Sequence, residues 1–272
     1  MTRHYYRKPH RIRRKKSIFK NRFFWLTLLI LAFAFSLCYF AVFSSFFEIK
    51  NIEISGNEKT PKSAIENVIE NYAWTDFKFF KKKNLLLVNL PKIDKILLEG
   101  FPLIASVSSR KNLPGGLTFR IQERKPEAIF QQNDNWFFID KEGIIFERTN
   151  EQTASSGEFA IIKNSLLSAD LKPGERMTEK ETMTRIADLL SKMKDDLKIP
   201  LKGLTIVSQE RLNAQTIEGW EAYFNLKGDL DWQYTKLKTV LEKRIPPEKR
   251  GNLIYIDLRF ERIYIYPDTY NE

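Results

Sequence analysis

The stretch "FFWLTLLILAFAFSLCYFAVFSSFF", residues 23–47, contains no charged side chain, and no other feature constrains the fold of this chain as strongly. As a helix it would be about 37 Å long, against a bilayer hydrocarbon core of about 30 Å. Aromatic residues mark both ends, Phe23, Phe24 and Trp25 at one and Tyr39, Phe40, Phe46 and Phe47 at the other, as interfacial belts do. The run therefore predicts a single transmembrane helix. A cleaved signal peptide has a shorter apolar region of about 7–15 residues followed by a small-residue cleavage site, and no such site is clear here.

Residues 1–22 carry ten Lys/Arg and no acid, so nearly all of the formal net charge of +11 sits in this tail. A basic flank before a span is retained on the cytoplasmic side, and each Lys/Arg near an anionic leaflet adds on the order of 1 kcal/mol of attraction. The expected topology is single-pass type II in the inner (plasma) membrane, with residues 48–272 outside the cytoplasm. Membrane orientation accounts for the charge, and the tail contains no recognisable nucleic-acid-binding module.

The distribution of reactive side chains excludes much enzymology. Cys38 lies inside the span, and both histidines, His4 and His10, lie in the tail. The outer part therefore has no Ser-His-Asp triad, no Cys nucleophile and no ordinary zinc site, and it forms no disulfide. A carboxylate pair for glycoside chemistry is still chemically available, but no two acids stand apart from the many that read as solvated. No metal and no cofactor are expected.

Periodicity divides the outer part. "FEIKNIEISGN" reads as a strand with a phase slip at Asn51, the mark of a bulge, ending in a Gly56-Asn57 turn. Pro61 opens a helix striped by Ile65, Val68, Ile69 and Tyr72. "DFKFFKKKNLLLVN" reads as a connection whose Lys81–Lys83 run is a solvated loop within reach of lipid headgroups. "LPKIDKILLEG" is a second helix ending at Gly100. Two strands, "PLIASVSSRKN" and "GGLTFRIQER", then meet at a Pro114-Gly115-Gly116 turn. The order strand-helix-helix-strand-strand makes an α+β unit.

These stretches resemble a POTRA domain, a polypeptide-transport-associated fold, in the single-copy form of the bacterial division family FtsQ, also called DivIB. The resemblance is carried by "FEIKNIEISGN" directly after one span, and by "NLLLVNLPKIDKILLEGFPLIASVSSRKNLPGGLTFRIQERKPEAIF". "NWFFIDKEGIIFE" adds the Trp…Asp…Gly hairpin that opens the family's second, β-rich domain. Trp136 and Phe138 are expected on a core face there, and Glu123, Arg124 and Glu127 read as an ion pair ordering the domain junction. Further on come the strand "FAIIKN" and a helix from Glu179 to Lys194. "GLTIVSQERLNAQTIEGWEAYFNL" supplies two or three short strands, and a second helix is striped by Leu230, Tyr234, Leu237 and Leu241. The expected organisation is a basic tail over 1–22, a transmembrane helix over 23–47, a POTRA domain over 48–124, a β domain with two helices over 125–268, and a short end over 269–272.

The closing stretch "IYIDLRFERIYIYPD" alternates at Ile254, Ile256, Leu258 and Phe260, then resumes out of phase at Ile263 and Ile265. A last strand with nothing after it leaves a sheet edge that can accept another strand. The resemblance implies that this edge receives a segment of FtsB (DivIC in other lineages), which places partner contacts at Phe260, Ile263, Tyr264, Ile265 and Tyr266. Where the family often has small residues after "DLR", this chain has Glu261-Arg262-Ile263-Tyr264, so the edge is expected to bend differently. The resemblance further implies a non-enzymatic scaffold of the divisome at the septum, bound to FtsB/DivIC and FtsL-like single-span coiled-coil proteins, with the strand Ile104 to Arg110 as a second contact surface. Two other classes compete: a POTRA-type chaperone or outer-membrane assembly component, which would show repeated units or barrel segments, and a membrane-anchored glycan enzyme.

Overall fold

The computed structural model describes residues 21–77 and 80–267. The basic tail, expected over 1–22, lies mostly outside the described residues, as does the end from 268 onward. The chain has an N-terminal apolar helix, a POTRA-type α+β region and a β-rich region with helices. Its contacts group into two units, one of residues 1–53, 72–89 and 110–118, the other of residues 54–71, 90–109 and 119–272.

In the first unit, α1 (Arg22–Phe43) has no buried residue and is about 33 Å long, enough to cross a bilayer. Asn21 caps its start, its side chain accepting from Phe23 N at 3.0 Å. The helix stops at Phe43 although the uncharged run continues to Phe47. Ser44 leaves the helical region (ψ 140°) and its hydroxyl accepts from Phe46 N, which starts a separate 3-10 turn over Ser45–Phe47. A hydroxyl that competes for nearby backbone donors ends helices in this way.

The phase slip at Asn51 has a structural cause. Phe47 O and Ile49 N bond to Leu85 N and Lys83 O, whereas Lys50 N and Asn51 N both bond to Gly115 O. Two consecutive N–H groups on one carbonyl are a bulge, and it falls where the chain changes partner. Beyond it, β1 (Asn51–Ser55) joins a three-stranded sheet of order β1-β5-β4, with β4 Ile104–Asn112 and β5 Gly116–Glu123. The expected solvated loop is instead a hairpin, β2 (Thr75–Phe77) with β3 (Phe80–Lys82), paired Thr75↔Lys82 and Asp76↔Lys81. Alternation was too short there to mark it.

In the second unit, α2 (Lys62–Tyr72) and α3 (Leu90–Gly100) bury Ile65, Ile69, Ile93 and Leu97, the residues at helical spacing. Gly56, at φ +84°, is required because a Cβ there would stand 2.1 Å from Ile121 O.

The rest of this unit is built on a nine-stranded sheet of order β14-β13-β12-β11-β10-β9-β6-β7-β8. Its strands are β6 (Ala128–Gln132), β7 (Asn135–Ile139), β8 (Ile145–Thr149), β9 (Ile161–Asn164), β10 (Leu201–Ser208), β11 (Arg211–Thr216), β12 (Glu221–Asn225), β13 (Tyr255–Asp257) and β14 (Tyr264–Tyr266). Pairs β6–β9, β9–β10 and β12–β13 are parallel, and the other neighbours are antiparallel. A short helix, α4 (Glu151–Ser155), follows β8. The two long helices, α5 (Lys180–Asp195) and α6 (Leu230–Lys243), pack on one face. Met183, Ile186, Leu189 and Met193 of α5 and Leu230, Tyr234, Leu237 and Leu241 of α6 share a core with Phe130, Leu204, Leu212, Trp220 and Phe224.

Two expectations about residue roles need correction. On β7 the core face carries Phe137 and Ile139, while Trp136 and Phe138 are half-buried on the other side; Phe138 there meets Phe159 at 5.6 Å and Phe146 at 6.3 Å. The run from Trp136 to Ile139 is apolar throughout, so alternation alone gives no phase. The junction ion pair also has a different acid. Arg124 bonds Asp140 at 2.5 Å, with side-chain exposures of only 11% and 7%. Glu123 instead accepts from the backbone N–H groups of Lys59 and Thr60 at 2.9 and 2.7 Å. Glu127 is a half-buried carboxyl whose protonation is favoured first by burial and then by Asp188.

Candidate partner-binding edge

The end of the sheet is assembled from α6 onward. Asp229 caps α6, accepting from Asp231 N and Trp232 N, and Pro246-Pro247 prevents the helix from continuing. A 3-10 turn over Pro247–Asn252 then returns the chain to the sheet. β13 lies parallel to β12 (Glu221↔Tyr255, Ala222↔Ile256) and β14 folds back antiparallel to it (Tyr255↔Tyr266, Ile256↔Ile265, Asp257↔Tyr264). The aromatic-rich closing stretch is thus a hairpin of two short strands. Its phase slip between Leu258 and Ile263 is the turn.

Side groups hold that turn. Arg259 makes a two-pronged pair with Asp257, Nε to Oδ1 at 2.9 Å and Nη2 to Oδ2 at 2.6 Å, which raises the guanidinium's proton affinity. Lys236 of α6 donates to the carbonyls of Leu258 and Phe260 at 3.1 and 2.8 Å. Burial lowers the pKa of its ammonium, opposed by Asp257 and Glu261.

The five residues expected at a partner contact occupy four different settings. Ile265 is buried, 2% exposed, on the core face opposite Ile256. Tyr264 and Tyr266 are exposed. Phe260 is also exposed but lies in the turn, its ring edge-on to Tyr264 at 5.9 Å. Ile263 is half-buried against the core. Strand alternation sends Tyr264 and Tyr266 away from Ile265.

Tertiary packing adds neighbours that no local pattern announced. Tyr266 stacks on Tyr255 at 5.5 Å, Tyr255 on Tyr223 at 5.1 Å, and Arg211 lies over Tyr223 at 4.6 Å, a cross-strand ladder on the face opposite buried Ala222, Phe224, Ile256 and Ile265. Beside β14 is a groove of about 680 Å³ lined by Thr239, Val240, Lys243 and Arg244 of the α6 end and by Glu261, Arg262, Ile263 and Tyr264. Lys243 and Arg244 would be read from sequence only as cations at a helix C-terminus. Among the described residues β14 is one end of the sheet and β8 the other.

Residues 47–124 match the family model described as "POTRA domain, FtsQ-type", and residues 128–259 match "Cell division protein FtsQ/DivIB, C-terminal". The chain belongs to the FtsQ/DivIB cell-division family. It is 34% identical over 102 residues to "Cell division protein DivIB" of Clostridium acetobutylicum, a match covering 38% of this chain and 37% of that relative. The matched segment therefore spans little more than a third of the relative's length. The FtsQ/DivIB C-terminal match ends at Arg259, before the five residues singled out at the edge.

Proposed function

We propose that this FtsQ/DivIB-family protein is a non-enzymatic scaffold of the divisome. In this reading it is anchored by α1 as a single-pass type II protein at the septum and binds FtsB/DivIC-type and FtsL-type single-span coiled-coil proteins outside the cytoplasm. The domain limits 48–124 and 125–268 belong to the same proposal. The observation that carries it is β14: a three-residue strand at the end of a nine-stranded sheet, with exposed Tyr264 and Tyr266 and a groove beside it. A strand added there extends the sheet by backbone hydrogen bonds, and the groove receives its side chains. Lys243, Arg244 and Arg262 outnumber Glu261 in the groove lining, which favours a partner segment bearing carboxylates. The absence of His and Cys from residues 48–272 supports a binding role over acid–base or nucleophilic catalysis. The exposed strand β4 is proposed as the second contact surface.

The test is Tyr264→Lys in the full chain, with the cognate DivIC-type partner titrated in detergent. Binding is expected to weaken at least about tenfold, ~1.4 kcal/mol, with an unchanged circular dichroism spectrum. An unchanged affinity removes β14 from the interface.

A further inference from the structure

The end of α1 is bound to the outer fold by a set of hydrogen bonds that fixes the height of nearby residues above the bilayer. Asn84 is fully buried, and its side-chain amide donates to the carbonyls of Ala41 and Val42 at 2.9 and 3.0 Å. These are orphan carbonyls of the last helical turn. Glu48 and Asn84 form a β-bridge, Leu85 N bonds Phe47 O at 2.8 Å, and Ile49 N bonds Lys83 O at 3.1 Å. Residues 83–85 therefore sit level with the last turn of the apolar helix and cannot rise from it without breaking these bonds.

The residues held at that level have the composition of a membrane interface. Trp74 is 47% exposed, Phe46 55% and Leu86 41%. The Lys83 ammonium lies 5.1 Å from the centre of the Trp74 ring, an apolar body beside a cationic tip. Indole rings concentrate at headgroup depth, and a lysine beside a span is drawn to anionic lipid.

We propose that Phe46, Trp74, Lys83 and Leu86 form a collar that docks on the anionic phospholipid headgroups of the leaflet from which α1 emerges. The collar converts one helix into a two-point attachment and fixes how the first POTRA strand leaves the membrane. This inference rests on the reading of α1 as a membrane span.

The experiment uses the full chain in nanodiscs of neutral phosphatidylcholine or of phosphatidylcholine mixed with phosphatidylglycerol. In a Cys38→Ser background, single cysteines replace Phe35, Leu86 or Asn252 and carry an environment-sensitive fluorophore. The label at 35 should be quenched by acyl-chain nitroxides in both lipids. The label at 86 should be several-fold less accessible to aqueous iodide than the label at 252. That protection should grow with phosphatidylglycerol content. Lys83→Gln, which leaves Asn84 and its bonds to the end of α1 intact, should need several-fold more phosphatidylglycerol for the same protection. If 35 is quenched while 86 is as accessible as 252, or its protection ignores lipid charge, the collar is overturned and the span stands. If 35 is not quenched by lipid, the span reading fails and the collar with it.

Discussion

Replacing Asp140 by alanine should cost this fold more than any other single carboxylate change. Asp140 is 5% exposed and serves two elements at once. Its Oδ2 pairs with Arg124 Nη1 at 2.5 Å, and its Oδ1 accepts from the backbone N–H groups of Glu142 and Ile144 at 2.9 and 3.0 Å. These two bonds close the turn between β7 and β8. Arg124 is otherwise held by its Nε on Pro102 O at 3.0 Å and its backbone N–H on Leu103 O at 2.8 Å. Removing the acid leaves a guanidinium charge that is 89% buried by side-chain area without its counter-ion, a loss of about 3–5 kcal/mol. With stability normally about 5–15 kcal/mol, that is a large share, and it corresponds to a fall of roughly 10 °C in Tm for a unit of this size. Asp140→Asn keeps one acceptor for the turn and should cost less than Asp140→Ala. In the double variant Arg124→Met/Asp140→Asn neither charge remains, so the total should fall short of the sum of the single changes by about 2 kcal/mol. Urea unfolding of the full chain in detergent, followed by near-ultraviolet circular dichroism, measures all four corners of the cycle. A cost below about 1 kcal/mol for Asp140→Ala, or additivity in the cycle, would refute the claim that this pair holds the junction.

Gly56→Ala should destabilise by more than ~2 kcal/mol, because its φ of +84° is strained for a side chain and the new Cβ would meet Ile121 O at 2.1 Å; denaturant midpoints of the two proteins decide it. Glu123 gives a pH signature. Burial acts to raise its pKa, but the N–H groups of Lys59 and Thr60 outweigh this and hold it below the usual carboxylate value of 4.5. A depressed folded-state pKa contributes stability that is present above the unfolded value and lost as pH falls through the folded one. Unfolding midpoints of the native protein should therefore drop more steeply below pH 4.5 than those of Glu123→Gln, and parallel curves would show that the Glu123 carboxylate carries no charge-dependent stability.

The local patterns of the chain determined several elements directly. Twenty-two residues of α1 lie within or beside the uncharged run, because a bilayer-length apolar stretch needs no tertiary partner to declare itself. The stripes Ile65/Ile69, Ile93/Leu97 and Leu230/Tyr234/Leu237/Leu241 lie on buried helix faces, since a period of 3.6 is set by the backbone alone. Gly143, at φ +81°, marks the β7–β8 turn just as the Asp…Gly spacing implied. What only the tertiary structure decided are the pairings between residues far apart in the chain. Asn84 reaches Ala41, Arg124 reaches Asp140 in preference to nearer acids, and Lys243 and Arg244 meet Arg262 across one groove. Tyr223, Tyr255 and Tyr266 stack because β12, β13 and β14 happen to be neighbours in register. Periodicity tells a residue which way to face, but strand order and register choose what it faces, and those are set by how the whole apolar surface is buried at once.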